Sequence, residues 1–238
     1  MRHRVVLMLF AAVVLVAGAC GGDDGGAEAG DETGNGGATE LVGLFKIEAG
    51  VCDTAGVTKG SYFRMIQPGG KPGEGPYVPN GDSPCGDKTW APMKPGSDGG
   101  LKTGAYQAYG DPAFDEGGNG TTSLITEPTN WFAVNFANAT NEKDPQTGTA
   151  ASMPTISVED GKLSGDLSAY AAAWNQQHFN QGAPKPGGDR PGLTTGPTGT
   201  YDEATKAYTL DWSSQIVGGP FNNFTGVWHL EGTFEPEG

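Results

Sequence analysis

The most regular patterning lies toward the carboxyl end. From Ala207 to Ile216, Tyr208, Leu210 and Trp212 alternate with Thr209, Asp211 and Ser213; from Val227 to Glu235, Trp228, Leu230 and Phe234 alternate with His229, Glu231 and Thr233. A period of two with one apolar and one polar side predicts antiparallel strands with a single wet face. Gly199–Tyr201 precedes the first of them, and Asp202–Lys206 predicts the hairpin loop between. Further alternation places Leu41, Gly43, Phe45 and Ile47 on one face of a strand from Glu40 to Glu48. Between Ser61 and Gln67 it sets Tyr62, Arg64 and Ile66 against Phe63 and Met65. Trp131–Asn138 reads as one central strand, with Trp131, Ala133, Asn135 and Ala137 opposite Phe132, Val134 and Phe136. Ile156 and Val158, the Asp160-Gly161 pair and Leu163 predict a tight hairpin.

One helix is expected. Ser168 can cap it, Leu167, Tyr170, Ala171, Trp174 and His178 follow helical spacing, and Gly182 stops it. Residues 68–104 and 182–199 are dominated by turn formers and read as loops. The 41 glycines and 17 prolines are dispersed among short apolar runs, which predicts many turns. The fold class that follows is all-β and mainly antiparallel: a β-sandwich or flattened barrel of about eight to ten strands, one short helix and long Gly/Pro-rich loops.

The amino terminus has a different pattern. Arg2, His3 and Arg4 precede an apolar run, Val5–Ala17, of thirteen residues. A membrane-spanning helix needs about 20 residues, so the run predicts an export signal. Ala17-Gly18-Ala19-Cys20 resembles the lipobox of bacterial lipoproteins, although the third residue before the cysteine is Ala rather than a large aliphatic. The resemblance implies a signal peptide over 1–19, acylation of Cys20 and anchoring at the outer face of a bacterial cell membrane. The alternative is an ordinary secretory signal cut near Ala19. After Cys20, residues 21–39 are Gly, Asp, Glu, Ala, Thr and a single Asn without a hydrophobic run, so 20–39 reads as a flexible acidic tether, leaving 40–238 as one domain.

Charge narrows the partners. Without residues 1–19 the chain holds 12 basic and 28 acidic residues, a net charge of −16. Such a field repels nucleic acid, so none is expected as a partner. With Cys20 acylated, Cys52 and Cys85 remain, and in an oxidising compartment they predict a disulfide. A metal pair is the alternative, but no histidine lies near them in sequence.

Gly60-Ser-Tyr-Phe-Arg-Met-Ile-Gln-Pro-Gly-Gly70, Asn80-Gly-Asp-Ser-Pro84, Pro95-Gly-Ser-Asp-Gly-Gly-Leu101, Asp144-Pro-Gln-Thr-Gly148 and Phe179-Asn-Gln-Gly182 resemble a family of uncharacterised actinobacterial secreted proteins and lipoproteins. The resemblance implies a secreted single-domain protein and assigns no catalytic residue.

No Gly-x-Ser-x-Gly elbow, phosphate-binding loop, His-Glu-x-x-His or Cys-x-x-Cys occurs, and no cofactor is expected. His229 is expected on the wet face of its strand beside Glu231, and His178 at the helix end. Asp111, Asp115, Glu116, Asp211 and Glu231 are carboxylates that a two-carboxylate glycosidase could draw on. Asp111, Asp115, Glu116 and Asn119 gather oxygen donors among glycines but lack EF-hand spacing, so no metal is expected. Trp90, with Tyr77, Tyr106 and Tyr109, is the candidate aromatic platform for a glycan; the alternative is that these rings pack a loop onto the sheet. The function expected is a surface-displayed binding or interaction module for a glycan or protein. The rivals are an envelope hydrolase with paired carboxylates and a purely structural surface protein.

Overall fold

The computed structural model describes residues 37–238. The predicted signal, Cys20 and most of the predicted tether lie outside them. Along the chain run β1 (Thr39–Glu40), β2 (Gly43–Ile47), β3 (Val51–Cys52), β4 (Val57–Lys59), β5 (Tyr62–Lys71) and β6 (Gly75–Tyr77). There follow β7 (Ala91–Pro92), β8 (Gly100–Thr103), β9 (Thr129–Trp131), β10 (Val134–Thr140), β11 (Thr155–Glu159) and β12 (Lys162–Asp166). The last are β13 (Tyr170–Trp174), β14 (Gln177–Asn180), β15 (Thr195–Tyr201), β16 (Ala207–Gln215) and β17 (Thr225–Pro236). The all-β, antiparallel class read from alternation is the observed one.

The larger sheet has the order β1-β11-β12-β15-β16-β17-β2-β8 and curls into a half-barrel, with β5 joined to β17 and carrying β6 and β7. A second sheet, β14-β13-β10-β9, packs its aromatic side chains against it. Between them, Phe63 lies 4.4 Å from Trp228 and 5.2 Å from Trp131, and Tyr170 meets Trp212 and Trp228 at 5.0 and 5.1 Å. Rings of this size remove the most apolar area from water per residue, which is why the core centres on them. Gln181 serves two of the three buried indoles: its carbonyl takes the Trp212 N–H at 2.9 Å and its Oε1 the Trp228 N–H at 3.1 Å.

The fold turns on a fork in β17. Its residues Thr225–His229 pair with β5, and Gly232–Pro236 pair with β2. Glu231 lies at the switch, where the ladder would lose a partner. There the Glu48 N–H reaches the Glu231 carbonyl at 2.6 Å, and the buried Ser61 hydroxyl accepts the Glu231 N–H at 3.0 Å. Ser61→Ala leaves that N–H buried and unpartnered, so we expect a loss of about 1–3 kcal/mol in urea unfolding; a change within experimental error would show that water repairs the fork.

Two predicted elements are corrected. The helix after Ser168 is a hairpin, β13–β14, turned by Asn175 and Gln176 with φ of 49° and 58°. Ala171, Ala172 and Ala173 are all buried, so the strand has no polar face and its apolar run mimics a helix. The predicted central strand Trp131–Asn138 is likewise split, with Phe132 and Ala133 at φ of 51° and 60° between β9 and β10. Their N–H groups are held by the Asn80 and Asp82 side chains at 3.2 and 2.5 Å. Two boundaries also shift. Thr39, placed in the tether, pairs with Val158, and the predicted loop 182–199 ends at Thr195 where β15 begins. The stretch 68–104 contains the end of β5, β6, β7 and β8 rather than being irregular throughout. Cys52 and Cys85 are bonded with Cα atoms 5.1 Å apart, as predicted, which accords with an oxidising, extracytoplasmic compartment.

Candidate functional site

Among the aromatic candidates, Trp90 and Tyr77 come together, but around Arg64. The guanidinium carbon lies 3.4 Å from the Tyr77 ring centre and 4.1 Å from that of Trp90. Asp87 accepts the Trp90 indole N–H at 3.0 Å, Tyr62 meets the same ring edge-on at 4.5 Å, and Gly56 lies where any Cβ would be 2.4 Å from the indole nitrogen. A sugar needs an open ring face, and Arg64 occupies one face of each of these rings. The geometry favours the alternative, in which the rings pin the loop that Cys52–Cys85 closes. Tyr106 and Tyr109 lie apart from this stack: Tyr106 bonds the Ala151 carbonyl at 2.9 Å, and Tyr109 packs on His178 with ring centres 5.0 Å apart.

The Asp111–Asn119 segment folds on itself. The Asp115 carboxylate accepts both the backbone N–H and the amide of Asn119 at 2.9 Å, and these bonds hold its carboxyl below the usual range. The Asn119 Oδ1 in turn accepts the Asn135 N–H of β10 at 2.8 Å. Asp111 and Glu116 are exposed, and among the described residues no group of three or more His, Cys, Asp or Glu side chains is placed to hold a metal ion.

Asp211 and Glu231 do converge, on either side of His229. The imidazole Nδ1 is 2.7 Å from Asp211 and Nε2 is 3.6 Å from Glu231, while Tyr62 stacks on the ring at 4.8 Å. The expected solvated histidine is thus largely covered, with a side chain 14% exposed. Tyr62 on β5 covers it because β5 joins the edge of β17, a neighbour that alternation within one strand does not reveal. Burial opposes charging the ring, but the Asp211 and Glu231 hydrogen bonds and charges outweigh it and raise its pKa. The imidazole fills the space that a water or sugar would occupy between the carboxylates of a glycosidase. With folded-state pKa above unfolded, the charged ring stabilises fully below the unfolded value of 6.5 and loses that effect as pH rises through the folded value. His229→Gln should therefore lower Tm most at pH 5.5, with the difference shrinking toward pH 8; a pH-independent difference would refute the ion pair.

One concave site holding a buried amine was not singled out from the sequence. A cavity of about 520 Å³ opens where the loop after β10 meets the loop after β14. Asp144 shapes the first loop: its carboxylate accepts the N–H and hydroxyl of Thr147, and its carbonyl accepts the Gly148 N–H at 2.7 Å. The second loop turns at Gly187 and Gly188, both at positive φ, and the Lys185 N–H reaches the Asp189 carbonyl at 2.8 Å. This directs the Lys185 side chain inward, leaving the residue 9% exposed. Its ammonium donates to the Asn180 carbonyl and the Ser214 hydroxyl, both at 2.7 Å. Burial pushes the amine down to about 7, against an opposing pull from Asp144. His178 on β14, read as a helix-end residue, is also lowered by burial, with Asp144 pulling the other way.

The Asp144–Gly148 and Phe179–Gly182 stretches thus meet at this cavity. The missed residue is Lys185, whose only local sign is a lysine between Pro184 and Pro186 in a glycine-rich run. No protein-family model, curated protein or solved structure matches this chain.

Proposed function

We propose that the protein is an exported binding module, held at the outer face of a bacterial cell membrane by a lipid on Cys20, that takes a small polar ligand in the Lys185 cavity. The observation that carries this reading is a buried amine at the wall of an open pocket. Burial disfavours the charge of that amine, and a methionine or leucine would fill the space without that cost. A perturbed group in a concave site of this volume is the usual signature of ligand recognition. Arg64 on a face of both Tyr77 and Trp90 argues against a glycan stacked there, and the imidazole between Asp211 and Glu231 argues against a hydrolase that pairs those two carboxylates.

The test is a thermal-shift panel of sugars, amino acids, carboxylates and phosphate esters on the full chain in detergent, wild type beside Lys185→Met. A compound at 100 times its Kd adds about 2.7 kcal/mol. A rise in wild type that Lys185→Met abolishes supports the pocket; a panel flat for both proteins overturns it. The anchor is tested separately. Cys20→Ser should move the protein from the membrane fraction to the medium or to retained precursor, and unchanged partitioning refutes lipidation.

A further inference from the structure

The hydrogen-bonding capacity left over inside the Lys185 cavity is that of donors, with a spare carboxylate only at the rim. The Asp144 carboxylate is taken by Thr147, by the Gln146 N–H at 3.4 Å and by the Asn180 amide at 3.4 Å. Asn180 Oδ1 accepts the Gly182 N–H at 3.1 Å, and Gln146 Oε1 accepts the Asn180 N–H at 2.8 Å. The inner acceptors are therefore engaged. The donors are not. Lys185 uses two of its three N–H groups, and Arg190 makes no side-chain hydrogen bond or ion pair among the described residues. Its guanidinium lies against Gly196, where a Cβ would be 2.7 Å from Nη1. The one unengaged carboxylate in the lining is that of Asp189, exposed at the rim. A neutral sugar offers as many donors as acceptors and would find few free acceptors here, whereas an anionic oxygen group meets both spare cationic donors.

Resting on the pocket reading above, we infer that the ligand carries an anionic carboxylate or phosphate group, held by Lys185 inside and Arg190 at the mouth. The surrounding chain is strongly acidic, so a site that gathers an anion needs this local pair rather than the overall field. The charged groups around the Lys185 amine are Asp144 from the loop after β10, His178 on β14, and Asp189 and Arg190 on its own loop; Ser214 from β16 is uncharged. An anion favours the protonated amine, so binding takes up a proton near neutrality and weakens as pH rises through about 7.

Isothermal titration calorimetry of the full chain in detergent tests this with succinate, inorganic phosphate and a neutral disaccharide, at pH 6.0 and 8.5. We expect one of the two anions to bind at least tenfold more tightly at pH 6.0 than at 8.5, and the preferred anion identifies the group. Arg190→Gln alters an exposed side chain and should weaken binding about tenfold without changing Tm. Lys185→Met should abolish anion binding at both pH values. Disaccharide binding that Lys185→Met abolishes, with no anion binding, would overturn the anionic class while leaving the pocket standing. Anion binding unaffected by either substitution, or equal at both pH values, would overturn the assignment to this pair. No binding by any of the three, with the thermal-shift panel also flat, would overturn both readings; no anion binding beside a panel hit that is neutral would overturn the anionic class alone.

Discussion

Replacing Cys52 and Cys85 together by alanine should cost about 3–4 kcal/mol, because the bridge spans 33 residues and its loss restores that loop's freedom to the unfolded chain. The effect should spread beyond the bond. Gly86 N–H reaches the Asp53 carbonyl at 3.0 Å, Asp87 holds the Trp90 indole, and Trp90 with Tyr77 encloses Arg64. Apart from Cys85, Ala91 and Met93, few side chains between residues 72 and 99 lie in the core, so the loop depends on this staple and stack. Urea unfolding of the double variant should show the loss, with faster amide exchange across residues 78–90 than across β16 and β17. A midpoint change equivalent to less than about 1 kcal/mol would mean that the stack holds the loop alone.

Lys185→Met should have the opposite sign. The amine ionises at about 7 in the folded protein against 10.5 for an ordinary lysine. Between those values the unfolded chain holds a proton that the folded one has released, so wild-type stability climbs with pH across that window. Below pH 7 both states are charged and the burial cost is complete; above 10.5 it is absent. The methionine variant lacks this slope and should be more stable than wild type at pH 6–7 by an amount on the order of a few kcal/mol, the gap narrowing toward pH 10. The former partners keep other bonds: the Asn180 carbonyl accepts the Gln181 amide at 3.1 Å, and the Ser214 hydroxyl donates to the Gly182 carbonyl at 2.8 Å. Thermal unfolding of both proteins from pH 6 to 9.5 checks this. A variant less stable than wild type at every pH would show that the ammonium is a structural cross-link, and the reading of Lys185 as a ligand group would lose its footing.

Stability and recognition would then pull apart at one residue. Lys185→Met is expected to raise Tm near neutral pH while abolishing ligand binding, a pairing that a residue kept for packing would not produce.

The sequence by itself determined the strands whose two faces see different solvents. Tyr208, Leu210 and Trp212 point inward and Thr209 and Asp211 outward because β16 and β17 have one covered and one wet face, and that difference is written every second residue. The Asp160-Gly161 turn was legible for a similar reason, since both residues sit at positive φ, which these types adopt readily. The same turn made from Asn175-Gln176 or Phe132-Ala133 was not. Asn175 favours positive φ, but the alanine run before it reads as helix; Phe132-Ala133 marks no turn by composition and depends on Asn80 and Asp82, some fifty residues away, for its N–H partners.

Only the tertiary structure decided the site. His229 lies on the polar side of its strand as expected, yet Tyr62 covers it, because β5 rather than β2 borders that half of β17. Lys185 reads locally as a solvated lysine in a Pro/Gly loop. It is buried because that loop folds back onto β14 and β16, and its amine is lowered because the water it loses is replaced by one carbonyl and one hydroxyl rather than by a paired carboxylate. Alternation records which side of a strand is dry; it holds no record of which distant loop closes over a charge.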